Sequence, residues 1–209
     1  METSYDESST VVHRAARSEP SQTRLSSDLM NAAGDLRGQA RTLHNEGQDL
    51  HRDTTIQNWT SLTSEQGKRR TQDLLDDLHE LGFAWRDIAR MVGVTVPALQ
   101  KWRRGQKSSG ENKSAIAGLL AACQLIQERY LVKEVASWFE MPVVPGYPVT
   151  PIEMYAKGDR VLVFDHASGH ASPEEVLDGY EPDWRSKYSS PYAIYRAEDG
   201  HLSIGIETV

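Results

Sequence analysis

Residues 85–105 read WRDIARMVGVTVPALQKWRRG, and the spacing of their apolar positions decides the fold. Trp85, Ile88, Ala89 and Val92 recur at i, i+3, i+4 and i+7, one face of a short helix that Gly93 closes. Thr95 stands where a second helix would be N-capped, Pro97 fits a first turn, and Val96, Leu99 and Trp102 share a face before Gly105. Small Ala89 where the helices approach and Gly93 where the chain turns sharply give the layout of a helix-turn-helix.

With Val94, Leu99 and Trp102 holding the second helix against a core, its other face is left to solvent. That face would present Thr95, Val96, Ala98, Gln100, Lys101, Arg103 and Arg104, with Lys107 just beyond. Such a set combines an amide that reads base edges with cations that bind phosphate. Gln100 could pair bidentately with adenine, and Lys101 could reach guanine. The competing reading is an αα-hairpin inside a bundle, its basic residues a solvated face.

Outward from this stretch the helical pattern continues. In residues 64–82, Leu74, Leu75, Leu78 and Leu81 form one stripe ended by Gly82. After the polar linker QKSSGENKS comes a longer helix with Ile116, Leu119, Leu120, Cys123, Ile126 and Tyr130, then LVKEVASWFE with Leu131, Val135, Trp138 and Phe139. Five helices are thus expected between 64 and 140. The prolines of MPVVPGYP forbid helix and predict a linker or ordered bend. Beyond it, Thr150 with Glu153 and Ser172 with Glu175 mark two capping boxes that open short helices. RVLVFDHA between them is ambiguous by periodicity, but Asp159 as N-cap favours helix. AIYRAEDGHLSIGIE places β-favouring residues around Asp199 and Gly200, the pattern of a two-stranded hairpin.

Residues 1–63 contain no Lys and carry only one apolar rhythm, Leu36, Leu43 and Leu50. That is too sparse for a core, so the arm is expected to be disordered or to form a helix that needs a partner. The overall hydrophobic content of 38% agrees with an unpacked portion of the 209 residues. The fold class expected is mainly α: a disordered or partner-dependent arm over 1–63, a five-helix domain over 64–140, and a small helical module with a C-terminal β-hairpin over 141–209.

Charge follows the same division. The total is −7, yet residues 64–113 carry 10 basic and 7 acidic side chains, whereas 114–209 carry 7 basic and 14 acidic. A basic module joined to an acidic one suggests a polyanion for the first and another partner for the second. No apolar run approaches a membrane span and METSYDESST lacks the features of a secretory signal, so a soluble cytoplasmic protein is expected.

Catalytic chemistry finds little foothold. The lone Cys123 lies on an apolar stripe and reads as core, which excludes disulfides and thiolate metal clusters. His166 and His170 are four apart beside Asp165, a spacing that could share a metal, but Gly169 and Pro173 break the helix, so exposed histidines are expected. Asp73, Asp76, Asp77 and Glu80 read as a polar helix face rather than paired catalytic acids. No enzyme activity, metal or cofactor is expected. The tail aromatics Trp184, Tyr188, Tyr192 and Tyr195 either anchor a partner or dock the hairpin on the helices.

Residues 84–105, with an "IAxxxGV" first helix and a "W-x-R-G" ending, resemble the Xre/Cro-type helix-turn-helix. VKEVASWFE, the proline-rich bend, TPIEMYAKGD and RVLVFDHA are similar to the toxin-binding region of Xre/ParS/MbcA-type antitoxins. The resemblance implies sequence-specific binding to double-stranded DNA, repression of the protein's own operon, and neutralisation of a RES-domain toxin that degrades NAD. It reaches about residue 170, and neither the arm nor the tail follows the family pattern. Two other readings stand beside it: a stand-alone transcriptional regulator whose C-terminal module dimerises or senses a ligand, and an adaptor that does not bind DNA. A homodimer is expected through the acidic C-terminal module, since two basic DNA-facing regions repel.

Overall fold

The computed structural model describes the backbone of residues 22–189, 192–196 and 201–206, and the side chains of residues 28–189 and 201. The chain is mainly α-helical and divides into two units, residues 1–46 and 47–209. Helix α1, Gln22–Gln66, contributes to both. In the first unit, every described side chain from residue 28 on is exposed except half-buried Ala33. The arm is therefore helical over residues 22–63 rather than disordered, with Leu36 65% and Leu43 69% exposed; residues 1–21 lie outside the described residues.

Within the second unit, the last turns of α1 belong to the core, which the sequence reading did not anticipate. Ile56, Trp59 and Leu62 pack against it, and the Trp59 indole N–H donates to the Gly118 carbonyl at 2.8 Å. Two polar residues are buried there because each finds a partner. The Thr55 hydroxyl lies 3.1 Å from the Tyr130 hydroxyl, and the Gln66 amide donates to Gln124 Oε1 at 2.9 Å.

Helices α2 (Thr71–Glu80), α3 (Trp85–Val92), α4 (Val96–Arg103), α5 (Gly110–Arg129) and α6 (Val135–Glu140) follow. Leu74, Leu75, Leu78, Ile88 and Leu99 are fully buried, as an apolar stripe on each helix requires, whereas Leu131, expected to pack with Val135 and Phe139, precedes α6 with φ 59° and is 78% exposed. Helix α5 starts inside the stretch expected to be linker, because the Ser109 hydroxyl accepts from the Asn112 N–H at 3.2 Å and caps it. The proline-rich segment is an ordered bend: the Val143 N–H donates to the Val149 carbonyl at 2.9 Å, and Val143, Val144 and Val149 are buried.

Beyond the bend lie α7 (Pro151–Lys157), α8 (Arg160–Ser168), α9 (Pro173–Tyr180) and α10 (Trp184–Lys187). The capping boxes form, with the Thr150 N–H donating to Glu153 Oε2 at 3.2 Å and the Ser172 N–H to Glu175 Oε2 at 2.8 Å. Strands β1 (Tyr192–Arg196) and β2 (Leu202–Ile206) pair antiparallel with Tyr192 opposite Ile206. The turn expected at Asp199 and Gly200 lies outside the described residues.

The division expected at residue 140 falls inside the core. Phe139 meets Phe83 edge-on at 5.5 Å and Tyr155 at 6.2 Å, and α7 packs on α3. One cluster of buried side chains runs from Leu74 to Trp184. Arg160 lies 5.3 Å from the ring centroids of both Trp59 and Tyr155, joining α8 to the end of α1.

Candidate nucleic-acid interface

Helices α3 and α4 are joined by Gly93, Val94 and Thr95. Gly93 adopts φ 76°, a left-handed conformation that any side chain would strain, and the Val94 N–H returns to the Ala89 carbonyl at 2.9 Å. Thr95 is extended and its carbonyl accepts from the Ala98 N–H at 3.0 Å, opening α4. Its hydroxyl makes no capping bond and is exposed, unlike that of an ordinary N-cap.

Fully buried Leu99 fixes the rotation of α4. At about 100° per residue, Gln100, Lys101 and Arg104 then fall on the arc opposite the core. All three are exposed, as are Thr95 and Lys107. Val96 and Ala98 are half-buried, and Val96 packs on the core, so neither is as free as the sequence suggested. Arg103 sits about 40° from Leu99 on the same wheel, towards α2. Its guanidinium donates to Asp76 at 2.8 Å and covers the Trp85 ring at 5.0 Å.

The basic segment is not uniformly available for a polyanion. Arg69 pairs with Asp77 at 2.7 Å, Arg70 with Asp73 at 2.8 Å, Arg86 with Asp87 at 3.4 Å, and Arg90 with Glu153 at 3.2 Å. The hydrogen bond from Arg70 holds the Asp73 carboxyl below its ordinary range, and the Asp77 and Asp73 carboxylates raise Arg69 and Arg70. Among the described residues, Lys101, Arg104 and Lys107 make no ion pair. Arg104 donates its Nε–H to the Gln100 carbonyl at 3.2 Å, which leaves its terminal nitrogens outward. A cleft of about 520 Å³ beside the end of α4 is lined by Arg70, Thr71, Trp102, Lys107 and Lys113. Of the cations of the segment without a carboxylate, Lys101, Arg104 and Lys107 lie on the outer face and beyond the C-terminal end of α4, Lys113 lines the same cleft as Lys107, and Lys68 lies outside that group.

The aromatic set of the tail is not one surface. Trp184 is 2% exposed, its indole N–H donates to Asp178 Oδ1 at 2.8 Å, and its ring meets Tyr147 edge-on at 4.4 Å. It is a core residue, because the Asp178 carboxylate satisfies its polar edge. Tyr188 is half-buried and donates to Glu181 Oε2 at 3.0 Å. The side chains of Tyr192 and Tyr195 lie outside the described residues.

Among the described residues no group of His, Cys, Asp and Glu could hold a metal ion. His166 stacks on Trp138 at 5.3 Å rather than standing in solvent, while His170 stacks on His51 at 3.8 Å. Cys123 is fully buried, and desolvation pushes its thiol far up. Sequence reasoning missed a polar cluster in the second unit. Asp165, 3% exposed, accepts from Arg52 at 2.8 and 2.9 Å, and His51 Nε2 lies 3.2 Å from the Tyr130 hydroxyl. Partners 113 and 79 residues apart leave no local signal.

Among the described residues no helix is long and apolar enough to cross a membrane. Comparison of the chain with protein families, with curated proteins and with solved structures gives no match.

Proposed function

We propose that α3 and α4 act as a helix-turn-helix, with α4 entering the major groove of double-stranded DNA, and that the protein is a sequence-specific transcription regulator working as a homodimer. The observation that carries this reading is the partition of cations: carboxylates neutralise the arginines elsewhere in the segment, while Lys101, Arg104 and Lys107 stay unpaired around exposed Gln100. Gln100 reads bases, and the cations hold phosphates.

The test starts from duplexes selected by the protein from a randomised pool, followed by salt-dependent anisotropy titrations. Gln100→Ala is expected to relax base preference and cost about 1–3 kcal/mol, and Arg104→Ala to weaken all sequences and reduce the salt slope by about 1. Arg103→Ala is expected to weaken binding less than Arg104→Ala, because Asp76 already holds its guanidinium at 2.8 Å. Unchanged affinity in a Gln100→Ala/Lys101→Ala/Arg104→Ala variant would refute the reading.

The antitoxin resemblance adds a second role, neutralisation of a RES-type toxin by the C-terminal helices. Exposed Glu140, Glu174 and Asp183 support it, since exposed carboxylates steer a basic partner. Trp184 offers nothing to such a partner. If the role holds, adding the protein to a RES-type toxin stops NAD loss; continued NAD loss at molar excess leaves the regulator alone.

A further inference from the structure

The cleft beside the end of α4 adjoins a second one. Lys113, at the start of α5, lines both: on one side the cleft it shares with Lys107, on the other a cleft of about 510 Å³ bounded by Thr60 and Ser64 of α1, Lys68 beyond it, and Ser114 of α5. Neither lining includes Asp or Glu, although residues 64–113 carry 7 acidic side chains. The carboxylates nearest in sequence to the second cleft are turned away. At about 100° per residue, Glu65 stands about 150° round α1 from Thr60, Thr63 and Ser64, and Glu111 about 105° round α5 from Gly110, Lys113 and Ser114. Of the cations bordering the two clefts, Arg70 is held by Asp73 at 2.8 Å, whereas Lys68, Lys107 and Lys113 have no ion pair among the described residues. The hydroxyls of Thr60 and Thr63 donate to α1 carbonyls at 2.7 Å, but those of exposed Ser64 and Ser114 make no hydrogen bond among the described residues.

We propose that the two clefts carry the backbone of double-stranded DNA beyond the bases that α4 reads, with one strand passing from Lys107 to Lys113 and on to Lys68. The proposal rests on α4 entering the groove, and it extends the contact to the end of α1, outside the two helices of the motif.

A repeating anion suits this layout better than one compact ligand. The clefts lie in series, joined by a shared lysine, and duplex DNA carries one negative charge per about 1.7 Å of its axis. Lysine ammoniums are mobile point charges that follow a backbone without reading sequence, and serine hydroxyls add hydrogen bonds to phosphate oxygens. Such contacts position the protein, whereas Gln100 specifies the bases. All three lysines belong to residues 64–113, the segment with 10 basic and 7 acidic side chains, so the track lies where the field of the chain favours a polyanion.

The experiment uses the full chain and the duplex it selects, made with long flanks and also trimmed to the bases α4 reads, in salt-dependent anisotropy titrations. On the long duplex, Lys68→Ala/Lys113→Ala is expected to lower affinity about tenfold or more at about 0.1 M salt and the salt slope by about 2, with base preference unchanged. Lys68 is exposed and Lys113 half-buried, so the thermal melt should hold, and Lys68→Arg/Lys113→Arg should keep the slope. On the trimmed duplex the unaltered protein should bind more weakly, and the alanine pair should cost little further. Arg129→Ala/Lys133→Ala removes the same charge about 28 Å away, at and beyond the other end of α5, and should leave the slope unchanged. A slope indifferent to the lysine pair, an equal loss from the Arg129 and Lys133 pair, or a full loss on the trimmed duplex would overturn the proposal. With Gln100→Ala still relaxing base preference, those results would leave α4 as the reader, whereas an unaltered protein that bound no duplex would remove both readings.

Discussion

Trp59 is where the structure departs most from what composition suggests, and its environment yields a quantitative test. The ring packs 6.5 Å from Phe164, lies under the Arg160 guanidinium at 5.3 Å, and donates to the Gly118 carbonyl at 2.8 Å. Truncating a packed Trp to Ala costs about 3–5 kcal/mol in a core, and because Trp59 is only partly buried about 3 kcal/mol is expected. The lost hydrogen bond contributes about 1 kcal/mol of this, since the Gly118 carbonyl also lies within α5 and keeps its helical partner.

The glycine supplies the second arm. A β-carbon at Gly118 would lie 3.1 Å from Trp59 Cζ2, a separation that forces the ring to give. Gly118→Ala gains about 1 kcal/mol of helix propensity but loses about 1–3 kcal/mol to overpacking, a net loss of about 1 kcal/mol. With Trp59→Ala already in place the clash is gone, and the same substitution should stabilise by about 1 kcal/mol. The cycle therefore predicts a coupling of about 2 kcal/mol, read from urea melts of the four proteins followed by circular dichroism. If Gly118→Ala had the same effect in both backgrounds to within about 0.5 kcal/mol, the end of α1 would not pack on α5 as described.

Stability should fall on mild acidification. Desolvation first, then the charge of His170, lower the His51 pKa below its ordinary 6.5, with Arg129 adding to the effect and Asp165 opposing it; burial against Trp138 lowers His166 likewise. The unfolded chain then binds more protons than the folded one, so stability is full above pH 6.5 and declines as pH drops through that value. Thermal melts between about pH 8 and 5 should show this slope. His51→Gln/His166→Gln should flatten it, and an unchanged slope would count against the assignment. A chain ending at residue 142 should lose its cooperative melt, because it removes α7 from α3 and strips Tyr155 from Phe139. Calorimetry that kept the full transition in that shorter chain would show two independent cores.

The helices between 64 and 140 were legible because their apolar residues repeat at the helical period and glycine stops them. Leu74, Leu78, Ile88 and Leu99 are buried where that pattern puts them. The end of α1 was not legible, since Thr55 and Gln66 occupy buried positions and dilute the apolar signal of Ile56 and Trp59. One local cue did exist: Gly118 in the middle of an apolar helical run marks a place where another side chain comes close. The outward face of α4 follows from Leu99 alone. The pairing of Arg103 with Asp76 required knowing that α2 packs on α4, which no local pattern encodes.

The acidic face of α2 bears directly on how α4 could meet a polyanion. Asp73, Asp76, Asp77 and Glu80 lie on a helix packed against α4, and an unneutralised row would repel phosphate from the face that carries Lys101. Three of those four carboxylates are held by arginines: Asp73 by Arg70, Asp76 by Arg103 and Asp77 by Arg69. Exposed pairs like these add little to folding stability, so their effect here is on the local field. They cancel the charge of α2 with the cations nearest to it and leave Lys101, Arg104 and Lys107 to set the sign around the end of α4. A chain with an overall charge of −7 can in this way offer a positive patch, provided its carboxylates are paired before a ligand arrives. Arg69, Arg70 and Arg103 serve that pairing, and Lys101, Arg104 and Lys107 are left without a carboxylate around the end of α4.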